Sequence, residues 1–171
     1  YGTNPCSEII LRNKQFCNLT EVVVRPYDTM DSLKTKVEAA TILGTFQATL
    51  TNFRYLTSKW KHNTHEESLL GVSLTGIMDN VDMINGKIDL EYLKNLSVSI
   101  NKVWAKKLGI PQSAAITCVK PSGTVSQLVD SASGIHTRHS PYYLRTIRAD
   151  KKDPLARLMV DAGVYHEDDI T

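Results

Sequence analysis

The spacing of apolar and polar positions changes several times along this chain. CNLTEVVV, Cys17 to Val24, ends in an unbroken β-branched run and reads as a buried strand. RPYDT turns the chain, and a long helical pattern follows from about Met30 to Trp60, capped by Asp28 or Thr29. LLGVSLTGI, Leu69 to Ile77, reads as a second strand, and its Gly71 and Gly76 predict close backbone approach. In the next helix Leu93, Leu96, Ile100, Val103 and Trp104 form one apolar stripe. Asp89 caps it, Gly109 suits the left-handed C′ position, and Pro111 blocks extension. AAITCV, Ala114 to Val119, predicts a third strand, and PSGTVSQLV then turns into a short helix. YYLRTIRA, Tyr142 to Ala149, alternates and predicts a fourth strand, and Asp153-Pro154 opens a last helix. Strands alternating with helices predict an α/β fold with parallel strands, in a single domain over residues 1–171.

Composition narrows the function classes. The net charge of +2 concentrates no basic face, so neither a nucleic-acid nor a membrane partner is expected. No apolar run approaches the roughly eighteen residues of a membrane span. Three cysteines are too few, and odd in number, for a secreted disulfide scaffold, which points to a reducing, cytoplasmic compartment. The chain opens at Tyr1 with its most distinctive motif already at Asn4, which reads as a piece of something longer.

That motif is NPCSEI. If Thr3 to Ile9 is extended, Asn4, Cys6 and Glu8 project to one side, because side chains alternate in a strand. Pro5 biases Asn4 away from the helical region. One loop then presents an amide, a thiol and a carboxylate to one small molecule. The polar run Arg12 to Gln15 can fold back and bring Cys17 close to Cys6. Far downstream, PSGTVSQ, Pro121 to Gln127, has small residues opening a helix after a strand, so backbone N–H groups can meet an anion. Taken alone, a plain Ser/Thr cap is the commoner meaning of such a stretch.

NPCSEI followed by CNLTEV resembles the finger loop (residues 3–17) of ribonucleotide reductases, above all the adenosylcobalamin-dependent group. ITCVKPSGTVSQLVDSASGIHTRHSPYYLR resembles their phosphate-binding turn (residues 120–128 here) and the strand after it, and LLGVSLTGIMD lies between them in the family's order. Oxygen-dependent relatives carry Leu where Pro5 stands and Glu where Gly123 stands, so both positions favour the cobalamin group. Within it the resemblance is greatest to the monomeric type acting on ribonucleoside triphosphates.

The resemblance implies part of a ten-stranded α/β barrel with a central finger loop. It implies that Cys6 becomes the thiyl radical, that Glu8 is the base for the 3′-hydroxyl and that Asn4 bonds the sugar. Cys17 is implied as one thiol of the reducing pair, its partner lying upstream of residue 1. Ser122, Gly123, Thr124 and Val125 are implied as substrate-phosphate contacts. Adenosylcobalamin, a thioredoxin-like reductant and the N-terminal part of the same enzyme are the implied cofactor and partners.

Other residues carry less. Cys118, in a buried strand, reads as structural. His62 and His65 lack metal-ligand spacing with the cysteines, so no metal site is expected. Tyr142 and Tyr143 read as ordinary strand aromatics. His136, Arg138 and His139 either line a nucleotide or cofactor surface or form a solvated loop. Two rival classes stay open: a phosphate-binding module without radical chemistry, and a two-electron thiol enzyme using Cys6 with a His base.

Overall fold

The computed structural model describes residues 1–170. They divide into two compact units, Tyr1–Arg138 and the segment that starts at His139.

In the first unit a hairpin of β1 (Gly2–Thr3) and β2 (Ile10–Leu11) leads into β3 (Asn18–Val23). α1 (Met30–Gln47) follows, then α2 (Ser58–Glu67) and β4 (Leu70–Thr75). A 3-10 turn (Ile77–Asp79) and the short α3 (Val81–Ile84) precede α4 (Leu90–Leu108) and α5 (Gly123–Leu128). β3 and β4 are parallel and in register from Asn18↔Leu70 to Val23↔Thr75. Residues 115–118 run along the far edge of β4: Leu70 N–H donates to Ala115 O (2.9 Å), Val72 N–H to Ile116 O (2.8 Å) and Cys118 N–H to Val72 O (3.1 Å). This expected third strand makes one parallel bridge, Val72↔Thr117. Its ladder stops where Lys120 N–H turns to the Ser73 hydroxyl (3.1 Å).

α1 packs on both strands and α4 packs on α1. The core between them is Val22, Val24, Leu33, Val37, Leu70, Val72, Leu93 and Ile116. Gly44 of α1 lies so near the sheet that a Cβ there would stand 3.0 Å from Leu70 Cδ2. Where the helices meet, the buried Asn101 amide donates to Thr45 (3.1 Å) and Ser113 (3.0 Å) and accepts from Ser113 N–H (3.0 Å). Every polar atom of that side chain thus has a partner away from water.

The helical pattern expected from Met30 to Trp60 holds as a helix only to Gln47; residues 48–57 are irregular, and α2 starts at Ser58 and runs past the expected end to Glu67. α1 stops at Gln47 with Ala48 as its C-cap. Thr49, Thr51 and Asn52 follow, residues whose side chains compete for the backbone; the Thr49 hydroxyl donates to Phe46 O (2.7 Å). α4 begins and ends as its caps dictate: Asp89 accepts from Tyr92 N–H, and Gly109 takes φ 69°.

The second unit carries α6 (Pro154–Asp161), capped by Asp153 as expected. Tyr142 to Ala149 is irregular, not a strand, with Tyr142 91% and Leu144 103% exposed. Alternation produces a strand only where a neighbouring edge accepts it, and no described segment pairs with this one. No described helix is long and apolar enough to cross a membrane.

Candidate active site

The first loop is a turn, which corrects the extended reading. Ser7 N–H donates to Asn4 O (3.0 Å), and Asn4 N–H to Ile9 O (3.2 Å). Asn4 Oδ1 accepts from Ile9 N–H (3.0 Å), and Ser7 takes φ 64°. Asn and Pro are the favoured first and second residues of a type I turn, and that chemistry outweighs the alternation. Asn4, Cys6 and Glu8 therefore do not share a strand face. Cys6 is exposed near the hairpin tip, Asn4 is buried at its base, and Glu8 is half-buried with both carboxylate oxygens closed off from solvent.

Arg12 to Gln15 does fold back, through Lys14 at φ 58°. The turn is bolted to α2, an anchorage that sequence reasoning missed. Arg12 binds Glu66 (2.9 Å) and Glu67 (3.0 Å), and Gln15 Nε2 donates to Glu67 (2.7 Å) and to Asn63 O (3.1 Å). Asn63 donates to Asn13 O (2.7 Å). Polar residues spaced along one helix were the sole signal for it.

Ile9 seats the hairpin on the sheet. Gly71 of β4 has no side chain, and a Cβ there would fall 2.5 Å from Leu19, 2.8 Å from Ile9 and 2.9 Å from the Cys118 sulfur. The missing side chain is what lets hairpin, β3 and the 115–118 segment converge. Burial raises the Cys17 thiol pKa, and the negative charge of Glu8 adds to it. Burial pushes Cys118 up to about 11, helped by Glu8, Cys17 and Glu21 and opposed by Lys120. The fold therefore brings Glu8, Cys17, Glu21 and Lys120 within electrostatic reach of Cys118, and Glu8 within reach of Cys17. No disulfide links the three cysteines. Cys17 also borders an open cleft of about 680 Å³ lined by Phe16, Gln47, Phe53, Tyr55 and Leu56. Phe16 stacks on Trp60 with centroids 4.7 Å apart.

The second loop follows Lys120. Ser122 is buried with its hydroxyl unpartnered, while Gly123, Thr124 and Val125 open α5 in solvent. The first N–H groups of a helix lack intrahelical acceptors, so they face outward here. A Cβ on Gly123 would meet nothing within 4 Å. Residues 129–138 are tied down behind the turn. Arg25 donates to Val129 O (2.7 Å) and Asp130 O (3.0 Å). Arg138 forks onto Asp79 (3.0 and 3.1 Å) and reaches Asp130 (2.9 Å). Asp79 also accepts from Ala132 N–H (2.7 Å). Burial would raise the Asp79 pKa, but the hydrogen bonds from Arg138 and Ala132 outweigh it and hold the carboxyl below its usual value. Arg138 is thus a brace for this loop, and Asp79 was not visible as its partner because they are 59 residues apart.

Fold and site define an α/β protein with a thiol-bearing hairpin packed on the open face of a parallel sheet. No family model matches the chain. It is 29% identical to the adenosylcobalamin-dependent ribonucleoside-triphosphate reductase of Lactobacillus acidophilus, over 99% of this chain and 26% of that protein. It is 33% identical to the probable adenosylcobalamin-dependent ribonucleoside-triphosphate reductase of Dictyostelium discoideum, over 96% of this chain and 22% of the relative. Among solved structures it matches a B12-dependent (class II) ribonucleotide reductase with a TM-score of 0.63 and 25% identity, over 80% of this chain and 23% of that one. The chain is homologous to a stretch of the adenosylcobalamin-dependent ribonucleotide reductases, and it spans about a quarter of the length of the curated relatives it matches.

Proposed function

We propose that this chain supplies the finger loop and the substrate-phosphate turn of an adenosylcobalamin-dependent ribonucleoside-triphosphate reductase. The observation that carries the reading is the exposed Cys6 thiol on a hairpin whose Glu8 carboxylate is buried without a donor, in a chain aligned almost end to end with such reductases.

The residues present fit the roles. A thiol near a hairpin tip is open to a bulky cofactor; adenosylcobalamin, when bound, supplies the one-electron oxidation of that thiol. The resulting Cys6 radical takes the 3′-hydrogen of the ribose and later returns it. Glu8 accepts the 3′-hydroxyl proton, a task a carboxylate performs within hydrogen-bond reach. Asn4 spends Oδ1 on Ile9 N–H, so Nδ2 is the atom left to hold the sugar. The 2′-oxygen leaves as water while two thiols give up two hydrogens and close to a disulfide. Cys17 is one of them, and its partner comes from the N-terminal part of the enzyme. Ser122 and the N–H groups of Gly123, Thr124 and Val125 receive the phosphates.

The reading places the chain in a ten-stranded barrel in the cytoplasm, recharged by a thioredoxin-like dithiol. In the full-length protein, Cys6→Ser should abolish deoxynucleotide formation while ribonucleoside triphosphate still binds, because a hydroxyl fills similar space but cannot form the radical. Turnover by that variant overturns the reading.

A further inference from the structure

Glu21 has no part in the roles above, yet it is the second carboxylate of this region whose two oxygens are both buried without a hydrogen-bond donor; Glu8 is the other. A buried carboxylate lacking donors is costly, so such a group is ordinarily completed by a ligand or a neighbouring chain.

Strand alternation fixes which way Glu21 points. On β3 the Thr20 methyl approaches Gly44 of α1, at 3.5 Å from where a Cβ would stand, and Val22 and Val24 enter the helix-covered core. Cys17, Leu19 and Glu21 therefore belong to the opposite face. Leu19 confirms it, meeting Ile9 and Cys118 over Gly71. In the register of the sheet Glu21 lies beside Ser73, and Ser73 Oγ accepts from Lys120 N–H (3.1 Å). Glu21, Ser73 and Lys120 thus form a row across three adjacent segments, between the Cys17 end of β3 and the phosphate turn. Its charge also reaches the Cys118 thiol.

We propose that Glu21 is a second sugar-binding carboxylate, accepting a hydrogen bond from a hydroxyl of the bound ribonucleotide. The inference rests on the reductase reading, because that reading puts the sugar over this face. A hydroxyl suits the position: it donates one hydrogen bond and brings no charge, so an anion that is otherwise isolated gains a partner on binding. Hydrogen bonds to charged groups are the stronger kind, on the order of ten- to a hundredfold in affinity.

The test uses the full-length protein and equilibrium binding of CTP, 2′-deoxy-CTP and 3′-deoxy-CTP. Glu21→Gln keeps the shape and removes the charge, and Glu21→Leu removes the acceptor. CTP binding should weaken about ten- to a hundredfold, more for Leu than for Gln. For one of the two deoxy analogues the loss should vanish, which identifies the hydroxyl. The nucleotide-free melting temperature should stay level or rise, since an isolated buried charge has gone. A lower nucleotide-free melting temperature with unchanged CTP binding would overturn the proposal and assign Glu21 to a donor elsewhere in the protein. Unchanged values of both would overturn it too. Wild-type protein that binds no CTP would overturn the reductase reading along with it.

Discussion

The two faces of the small parallel sheet are built on opposite terms. On the α1 side, Val22, Val24, Leu70 and Val72 close against Leu33 and Val37. Even the polar Asn101 there is fully partnered. On the other side stand Cys17, Glu21, Gly71 and Ser73, with Glu8 and Ile9 brought over them by the hairpin. Among the described residues of the α1 face the Thr20 hydroxyl alone is buried without a partner, whereas the other face holds two carboxylates with no donor. Unsatisfied buried polar groups gather where a fold keeps room for a ligand, so the contrast makes the carboxylate-bearing face the one to test for ligand contact.

Truncation on the α1 face should have the largest effect on folding. Leu70 is 1% exposed between α1 and the sheet. Leu70→Ala should cost about 2–5 kcal/mol, read from denaturant titration of the purified chain. A loss under about 1 kcal/mol would show that this face is not the core.

Acid should act next, through two carboxyls that brace the loops following β3 and β4. Burial would raise Asp28, but hydrogen bonds from Lys36, Arg25 N–H and Ser32 outweigh it, and Asp79 is held down in the same manner. Both folded pKa values lie below the ordinary 3.8, so their stabilisation is complete above that pH and is lost as pH falls through the lower folded values. Melting temperature should stay flat from pH 7 to about 5 and drop below 4. Asp79→Asn should flatten part of that drop, and an unchanged acid limb would remove Asp79 from the account.

The carboxylate-bearing face should respond in the opposite sense. Glu8→Gln removes a buried charge without a donor, so the melting temperature should hold or rise by a degree or two, roughly. Deoxynucleotide formation by the full-length protein should fall by at least about a hundredfold. A destabilised variant with intact turnover would reverse the meaning given to this face.

These two faces were unequally legible in the sequence. β3, β4, α4 and α6 follow from β-branched runs and from caps that act locally, such as Asp89, Gly109 and Asp153. The end of α1 at Gln47 was missed because apolar residues continue through Leu50, Phe53 and Tyr55, while the backbone hydrogen bonds there shift to turn-type spacing, such as Thr51 N–H to Thr49 O. Tyr142 to Ala149 alternates but finds no edge. NPCSEI carried two signals, alternation and an Asn-Pro turn, and the turn won because it satisfies the Asn4 amide oxygen and the Ile9 N–H at once. Glu21 was hidden inside a strand taken to be uniformly buried. The Arg138–Asp79 brace and the Arg12–Glu67 anchorage join distant residues, and no local pattern announces them.

The smallest expected effect grades the three thiols across the carboxylate-bearing face. Cys6 is exposed, whereas Cys17 and Cys118 are half-buried, with burial first and Glu8 second among the causes that raise both pKa values. Thiolate is the species that alkylates. The raised pKa of Cys118, about 11, leaves it little thiolate at about pH 8, and partial burial also keeps reagent from both Cys17 and Cys118. Iodoacetamide followed by peptide mass spectrometry should therefore label the exposed Cys6 first, Cys17 next and Cys118 last. Glu8→Gln removes one of the charges acting on both buried thiols, so it should speed Cys17 and Cys118 and leave the rate at Cys6 nearly unchanged. If Cys118 reacts as fast as Cys6 in the folded chain, the hairpin does not cover it, and the joining of Glu8, Cys17 and Cys118 on one face is wrong.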